Sequence, residues 1–70
     1  MAEILAEIVA NVLEVVGHEG QVVDEGDTVV ILESMKMEIP VLTEHKGTLT
    51  KIAVKKGDVV QEHDLIAVVE

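Results

Sequence analysis

The sequence predicts a small all-β protein, either a sandwich or a flattened barrel. Residues 1–70 are expected to form a single domain. Val and Ile supply 20 of the 70 residues, and β-branched side chains fit a pleated sheet better than a helix. The glycine–acid pairs Gly26-Asp27 and Gly57-Asp58 indicate turns between short apolar segments. The third observation is an internal repeat.

The repeat appears when the chain is shifted by 37 residues, so that 10–33 falls on 47–70. Six of the 24 aligned positions are identical, all of them within the last 14. Gly20–Asp27 then matches Gly57–Asp64, and Val29–Leu32 matches Ile66–Val69. The repeat predicts two halves with the same strands, related by a quasi-two-fold axis.

The N-terminal segment Ala2–Val16 also fits another structure. Its apolar residues recur at helical spacing, which is typical of an amphipathic helix. The repeat favours strands instead, because the counterpart of Ala10–Val16 opens on Gly47 and is rich in threonine, and the counterpart of Glu3–Val9 begins with Pro40. We therefore expect two strands, split near residue 10.

In the second half, Gly47–Gly57 is a strand candidate bounded by glycines. Leu49, Ile52 and Val54 are its expected inward-facing residues. Four glycines are interpreted as structural turn residues: Gly20, Gly26, Gly47 and Gly57.

If residues 29–33 and 38–42, between the halves, form a hairpin, two-fold symmetry pairs Leu65–Val69 with Ala2–Leu5. This arrangement places the hairpin tip, Met35-Lys36, at one end of the domain and both termini together at the opposite end. A group at the tip would be presented to partners without obstruction.

Composition excludes several functions. Five basic against 14 acidic residues give a formal net charge of −9, which argues against sequence-independent nucleic-acid binding and against anionic membranes. The absence of cysteine removes disulfides, thiolate chemistry and cysteine-based zinc sites. No apolar run approaches the ~20 residues of a membrane span, and no signal peptide is evident. We expect a soluble, acidic, cytoplasmic domain.

Lys36, flanked by Met35 and Met37, is the chemical centre of the sequence. Thioethers belong in cores or at recognition surfaces. By composition alone, the methionines could be core residues beside a solvated lysine. At a hairpin tip, however, both methionines cannot be buried.

The segment Glu33–Glu38, with the sequence Glu-Ser-Met-Lys-Met-Glu, resembles the attachment motif of biotinyl domains. The core of that motif is Met-Lys-Met, usually preceded by Glu-Ala. The similarity extends over about residues 9–69, and it is greatest to small free-standing biotin carrier proteins. The resemblance implies the biotinyl/lipoyl fold, a flattened β-barrel of two antiparallel sheets related by a quasi-two-fold axis.

The resemblance also implies a function. Lys36 would carry biotin as an amide formed by a biotin protein ligase, and Met35 and Met37 would be read by the ligase and later pack near the biotin. Glu33, Ser34 and Glu38 would complete the motif that the ligase recognises. The partners would be biotin carboxylase and carboxyltransferase subunits, and the chain itself would be a monomeric, non-catalytic carrier.

Two alternatives to this function stay open. The first is a biotinylated protein with a regulatory or unassigned role. The second is a lipoyl carrier, although lipoyl domains typically have Asp-Lys-Ala where this chain has Met35–Met37.

The chain departs from the family pattern at several points. Ser34 replaces the usual alanine, and His63 stands where glycine is common, at a cost of ~1 kcal/mol if that position has a positive φ. The first strand lacks a Pro-Met-Pro-Gly-like stretch, and the hairpin tip lacks Asn-Gly or Asp-Gly. The run Val16–Gly26 leaves no room for the protruding "thumb" of some carriers.

Two further clusters have simple interpretations. Glu62-His63-Asp64 is expected to be an exposed polar turn rather than a metal site. Lys51, Lys55 and Lys56 are expected to protect a solvated strand edge, with partner docking as the alternative.

Overall fold

A computed structural model describes all 70 residues as eight β-strands and no helix. No segment therefore forms a helix that could cross a membrane. The strands are β1 (Ala2–Leu5), β2 (Ala10–Val15), β3 (Val22–Val23), β4 (Thr28–Ser34), β5 (Met37–Leu42), β6 (Gly47–Ile52), β7 (Val59–Val60) and β8 (Leu65–Val69). The predicted all-β class is confirmed, and the N-terminal segment forms two strands rather than a helix.

The strands form two four-stranded antiparallel sheets, in the orders β1-β8-β6-β3 and β5-β4-β2-β7. The expected hairpin is present as β4 and β5, and β8 pairs with β1 over the predicted residues. Ala2 lies opposite Val69, so the two ends of the chain are neighbours. A shift of 37 residues exchanges β5 with β1, β4 with β8, β2 with β6 and β7 with β3.

The quasi-two-fold relation extends to individual backbone hydrogen bonds. The N–H of Gly20 donates to the carbonyl of Leu49 at 2.7 Å, and the N–H of Gly57 donates to the carbonyl of Val12 at 2.9 Å. Each bond is the image of the other under the same shift of 37 residues. The loops before β3 and β7 are therefore anchored to the opposite half in the same way.

The turns that follow β3 and β7 are also equivalent. In the first turn, the Asp27 carboxylate accepts a hydrogen bond from the N–H of Asp24 at 2.9 Å. In the second turn, the Asp64 carboxylate accepts from the N–H of Gln61 at 2.8 Å. Such carboxylate-to-backbone bonds stabilise turns, which explains why both glycine–acid segments end in aspartate.

The core lies between the sheets as one cluster of 13 buried hydrophobic residues. Leu49 is fully buried in it, whereas Ile52 and Val54 are partly buried and pack against it. All three residues thus face inward, as predicted. Apolar burial of this kind supplies the main stabilisation of a domain that has no disulfide.

Two details differ from the sequence expectations. The strand that begins at Gly47 ends at Ile52 instead of continuing to Gly57. The backbone has turned by Lys55, whose N–H donates to the Asp58 carboxylate at 3.0 Å while its carbonyl accepts from the N–H of Asp58.

The second difference concerns Gly47, which opens β6 instead of forming a turn. A Cβ at this position would collide with the backbone carbonyl of Glu70. That carbonyl accepts a hydrogen bond from the N–H of Thr48 at 2.9 Å. Glycine is therefore required at residue 47 because the backbone of Glu70, just beyond β8, approaches β6 closely there.

Candidate functional site

The candidate site is the two-residue turn that joins β4 to β5. Ser34 and Met37 form the last pair of the ladder, and Met35 and Lys36 make the turn with φ values of +53° and +65°. Two left-handed central residues are the signature of the type I′ hairpin, whose twist matches that of the flanking strands. Glycine or asparagine usually occupies such positions, so the turn carries a conformational cost of ~1 kcal/mol or more per residue.

The β4–β5 ladder holds this turn in place. It runs from Thr28 opposite Leu42 to Ser34 opposite Met37. On the inner side of β4, Val30 and Leu32 are buried in the core. Because the ladder is anchored by buried residues, the turn is fixed although its own residues do not favour it.

All three side chains of the Met-Lys-Met segment face solvent. Met35 is 87% exposed and Met37 is 58% exposed, and Lys36 is exposed as well. None of the side-chain hydrogen bonds involves any of them. The methionines are therefore not core residues, and the Nζ of Lys36 is accessible to an acylating enzyme.

The remaining motif residues lie at the base of the tip. Glu33 and Glu38 are directly opposite each other on β4 and β5, and Asn11 of β2 lies beside Glu33 in the same row. Glu33 and Ser34 are half-buried, and Glu38 is exposed. Facing carboxylates repel each other, so this pair costs stability. The pair places negative charge at the end of the sheet that carries Lys36.

His63 occupies the quasi-two-fold equivalent of Gly26. Its φ is +75°, compared with +93° at Gly26, so the position does require the left-handed conformation. The two N–H groups make equivalent bonds, from Gly26 to the carbonyl of Thr43 at 2.8 Å and from His63 to that of Ala6 at 2.7 Å. The segment Glu62–Asp64 is an exposed turn, and nowhere do three or more His, Cys, Asp or Glu side chains gather in a metal-binding arrangement.

Only one residue of the lysine cluster, Lys51, lies on a strand. Lys51 lies on β6, which is flanked by β8 and β3, and Lys55 and Lys56 belong to the loop and turn before β7. The prediction of a strand edge is therefore wrong for Lys55 and Lys56, which lie outside the strands. It fits Lys51, because β3 pairs only with Gly47 and Thr48 of β6. All three lysines are exposed. Lys51 belongs to the sheet opposite to the one that carries the tip, whereas Lys55 and Lys56 precede β7, which belongs to the same sheet as the tip.

An open groove, not foreseen from the sequence, runs between the outermost strands β1 and β5. Its volume is about 960 Å³, and its lining includes Leu5 and its symmetry equivalent Leu42, but not Met35, Lys36 or Met37. The candidate attachment site is thus a protruding tip rather than a pocket.

Comparison with known proteins agrees with this geometry. A family model described as "Biotin-requiring enzyme" matches residues 2–69. The chain is 59% identical over 70 residues to the biotinylated protein TB7.3 homolog of Mycobacterium leprae, covering 99% of both chains. It is 65% identical over 71 residues to the homolog from Mycolicibacterium smegmatis, covering 100% of both.

Among solved structures, the urea carboxylase of Kluyveromyces lactis matches with a TM-score of 0.93 and 35% identity. The match covers 99% of this chain and 6% of the carboxylase chain. Both the sequence family and the observed pair of four-stranded sheets thus agree with the resemblance carried by the Met-Lys-Met motif. The chain belongs to the biotin/lipoyl domain family.

Proposed function

We propose that this protein is a biotin carrier, in which a biotin protein ligase joins the Nζ of Lys36 to the carboxyl group of biotin as an amide. The observation that carries the proposal is the exposed lysine between two exposed methionines at the tip of the β4–β5 hairpin. The family description and the names of the full-length relatives support biotin as the cofactor.

The residues present at the tip fit a covalently attached biotin. Lys36 offers an unpartnered amine, and Met35 and Met37 offer flexible apolar surface on both sides of it. A ligase that approaches the amine would contact both thioethers, and Glu33, Ser34 and Glu38 would extend that contact along the hairpin. No acidic or basic side chain is needed from the carrier for this step, because the ligase supplies the activated acyl group.

When attached, biotin would supply the ring nitrogen that accepts and releases carboxylate. The chain contributes position. The left-handed turn at Met35 and Lys36 places the lysine at the exposed end of the hairpin, and the long side chain gives reach. A rigid sheet behind the turn prevents the arm from collapsing into the domain, and tethering raises the local cofactor concentration at each partner site.

The partners that we propose are a biotin carboxylase and a carboxyltransferase. The structural match to a segment of a urea carboxylase supports carboxylases as the general class of system. The formal charge of −9 would attract basic surfaces on such partners and accelerate encounter at low ionic strength. The substrate of the carboxyltransferase would be selected by that partner and not by this chain.

The proposal is tested by carboxyl transfer in trans. Biotinylated protein is incubated with radiolabelled bicarbonate, ATP and a biotin carboxylase, and Lys36→Arg protein treated with the same ligase serves as the blank. We expect label on the wild-type protein only, at a rate that falls as salt screens the surface charge. A rate that does not depend on salt would contradict the steering and leave the carrier function standing.

A second candidate is a biotinylated protein that acts outside a carboxylase. It is favoured by the names of the relatives that match over 99% and 100% of their length, which mention biotinylation and no carboxylase. Absence of label transfer with the carboxylases of the same cell, despite full biotinylation of Lys36, would support this candidate over the carrier function.

A further inference from the structure

The two methionines beside Lys36 are unusually open to oxidants. Met35 is 87% exposed and Met37 is 58% exposed. The only other methionine, Met1, is 90% exposed. Oxidation of methionine to the sulfoxide depends on exposure. The tip therefore holds the only oxidisable sulfur atoms near the acceptor amine, since the chain has no cysteine.

Oxidation would change the surface that any acylating enzyme must cover. An enzyme that binds the Nζ of Lys36 encloses the apex of the hairpin, where the neighbouring side chains are the two thioethers and no hydrogen-bonding group holds them. A thioether gains free energy when it leaves water, whereas a sulfoxide loses it unless the new oxygen finds a donor.

We propose that Met35 and Met37 form a redox-sensitive gate on the biotinylation of Lys36. A hydroperoxide transfers one oxygen atom to each sulfur, so that an S–O bond forms, the O–O bond breaks, and the peroxide is reduced to water or an alcohol while the sulfur loses two electrons. Methionine sulfoxide reductases reverse the change. The gate rests on the proposed biotin attachment and adds a means of regulating it.

The fold does not oppose this modification. Neither methionine lies in the buried core cluster, so the added oxygens would face water rather than disturb packing. The β4–β5 ladder is held by backbone pairing and by the buried side chains of Val30 and Leu32. The oxidised protein is therefore expected to stay folded, and its loss of biotinylation would be local.

The test compares biotinylation of unmodified protein before and after treatment with hydrogen peroxide. Mass spectrometry of peptides reports sulfoxide at each methionine, and ligase kinetics report kcat/KM for biotin transfer. We expect oxidation of Met35 and Met37 to lower kcat/KM by about tenfold or more, and treatment with methionine sulfoxide reductases to restore it. Circular dichroism checks that the fold is retained.

The matched control is the double variant Met35→Leu/Met37→Leu, which keeps apolar side chains and cannot form sulfoxides, while Met1 remains as an internal standard of oxidation. Peroxide should leave its biotinylation unchanged. If these leucines themselves prevent ligase binding, recovery of the oxidised wild-type protein by the reductases decides the question. Equal kcat/KM for unmodified protein and protein oxidised at both residues, or a loss that the reductases do not reverse, would overturn the gate. Failure of the untreated protein to be biotinylated would instead contradict the proposed function.

Discussion

The two halves of the chain, residues 10–33 and 47–70, build the same framework and use it differently. Both halves anchor their loops through equivalent hydrogen bonds, such as those of Gly20 and Gly57. After β4, the chain turns through Met35 and Lys36 into β5. The equivalent strands β8 and β1 pair in the same way without a turn between them. The framework is thus shared, and the candidate chemistry lies in the one turn that breaks the symmetry.

The largest effect is expected from the core, where Leu49 and Val12 are equivalent positions with relative exposures of 0% and 2%. Leu49→Ala should lower the free energy of unfolding by about 2–5 kcal/mol, because it leaves a cavity. Val12→Ala removes one carbon fewer and should cost roughly 1 kcal/mol less. Urea denaturation of both variants measures the difference, and a larger loss for Val12→Ala would contradict equivalent packing of the halves.

A loss of this size matters for a domain of 70 residues. Its total stability should be on the order of 4–10 kcal/mol. If the loss reaches the upper end of its range and the total lies at the lower end, Leu49→Ala leaves much of the protein unfolded at physiological temperature.

The next largest effect on the free energy of unfolding is expected at Gly47, whose symmetry equivalent is Ala10. Ala10 is buried and carries its Cβ without difficulty, whereas a Cβ at Gly47 would meet the carbonyl oxygen of Glu70 and approach Cγ1 of Val69 to 3.0 Å. Gly47→Ala should therefore destabilise the domain by about 2–3 kcal/mol. The free energy of unfolding from a denaturant titration checks this value.

The matched control is Ala10→Gly, which should cost about 0.5–1 kcal/mol through backbone entropy, plus the loss of one methyl from the core. If Gly47→Ala proved as stable as the unmodified protein, the close approach of β6 to the C-terminal residue Glu70 would be wrong.

A smaller effect concerns the turn residues Gly26 and His63, both left-handed. His63→Gly should stabilise the domain by about 0.5–1 kcal/mol, because relief of ~1–2 kcal/mol of strain exceeds the entropic cost of glycine. Gly26→Ala should destabilise it by a similar amount, for conformational reasons alone, since a Cβ there meets open space. Thermal melts of both variants test the opposite signs, and shifts in the same direction would refute the equivalence of the two turns.

Much of the fold could be predicted because its determinants are repeated. The shift of 37 residues identified the strands on both sides of residue 10, where hydrophobic spacing alone indicated a helix. It also predicted the pairing of β8 with β1. The end of β6 could not be predicted, because it depends on the Asp58 carboxylate capturing the N–H of Lys55. The role of Gly47 likewise depends on residues distant in sequence, Val69 and Glu70.

The candidate site was harder to predict from the residue types of its turn. The central residues of a type I′ turn are normally Asn-Gly or Asp-Gly, whereas here they are Met35 and Lys36. Local preference is overridden here by the ladder between β4 and β5, so only the resemblance of the Met-Lys-Met motif located the tip. The groove between β1 and β5 gave no sequence signal, because it is formed by the outermost strands of two different sheets.

The central claim, that the asymmetric turn carries the function, is tested most directly by intact-mass measurement after co-expression with a biotin protein ligase. We predict one biotin per chain, located on Lys36 by peptide mapping, and none on Lys36→Arg protein, whose free energy of unfolding should change by no more than about 0.5 kcal/mol. Lys56→Arg, at another exposed lysine in a turn, should be biotinylated like the unmodified protein. Biotin on Lys36→Arg protein, or a lipoyl mass after parallel co-expression with a lipoyl ligase in place of the biotin mass, would contradict the account.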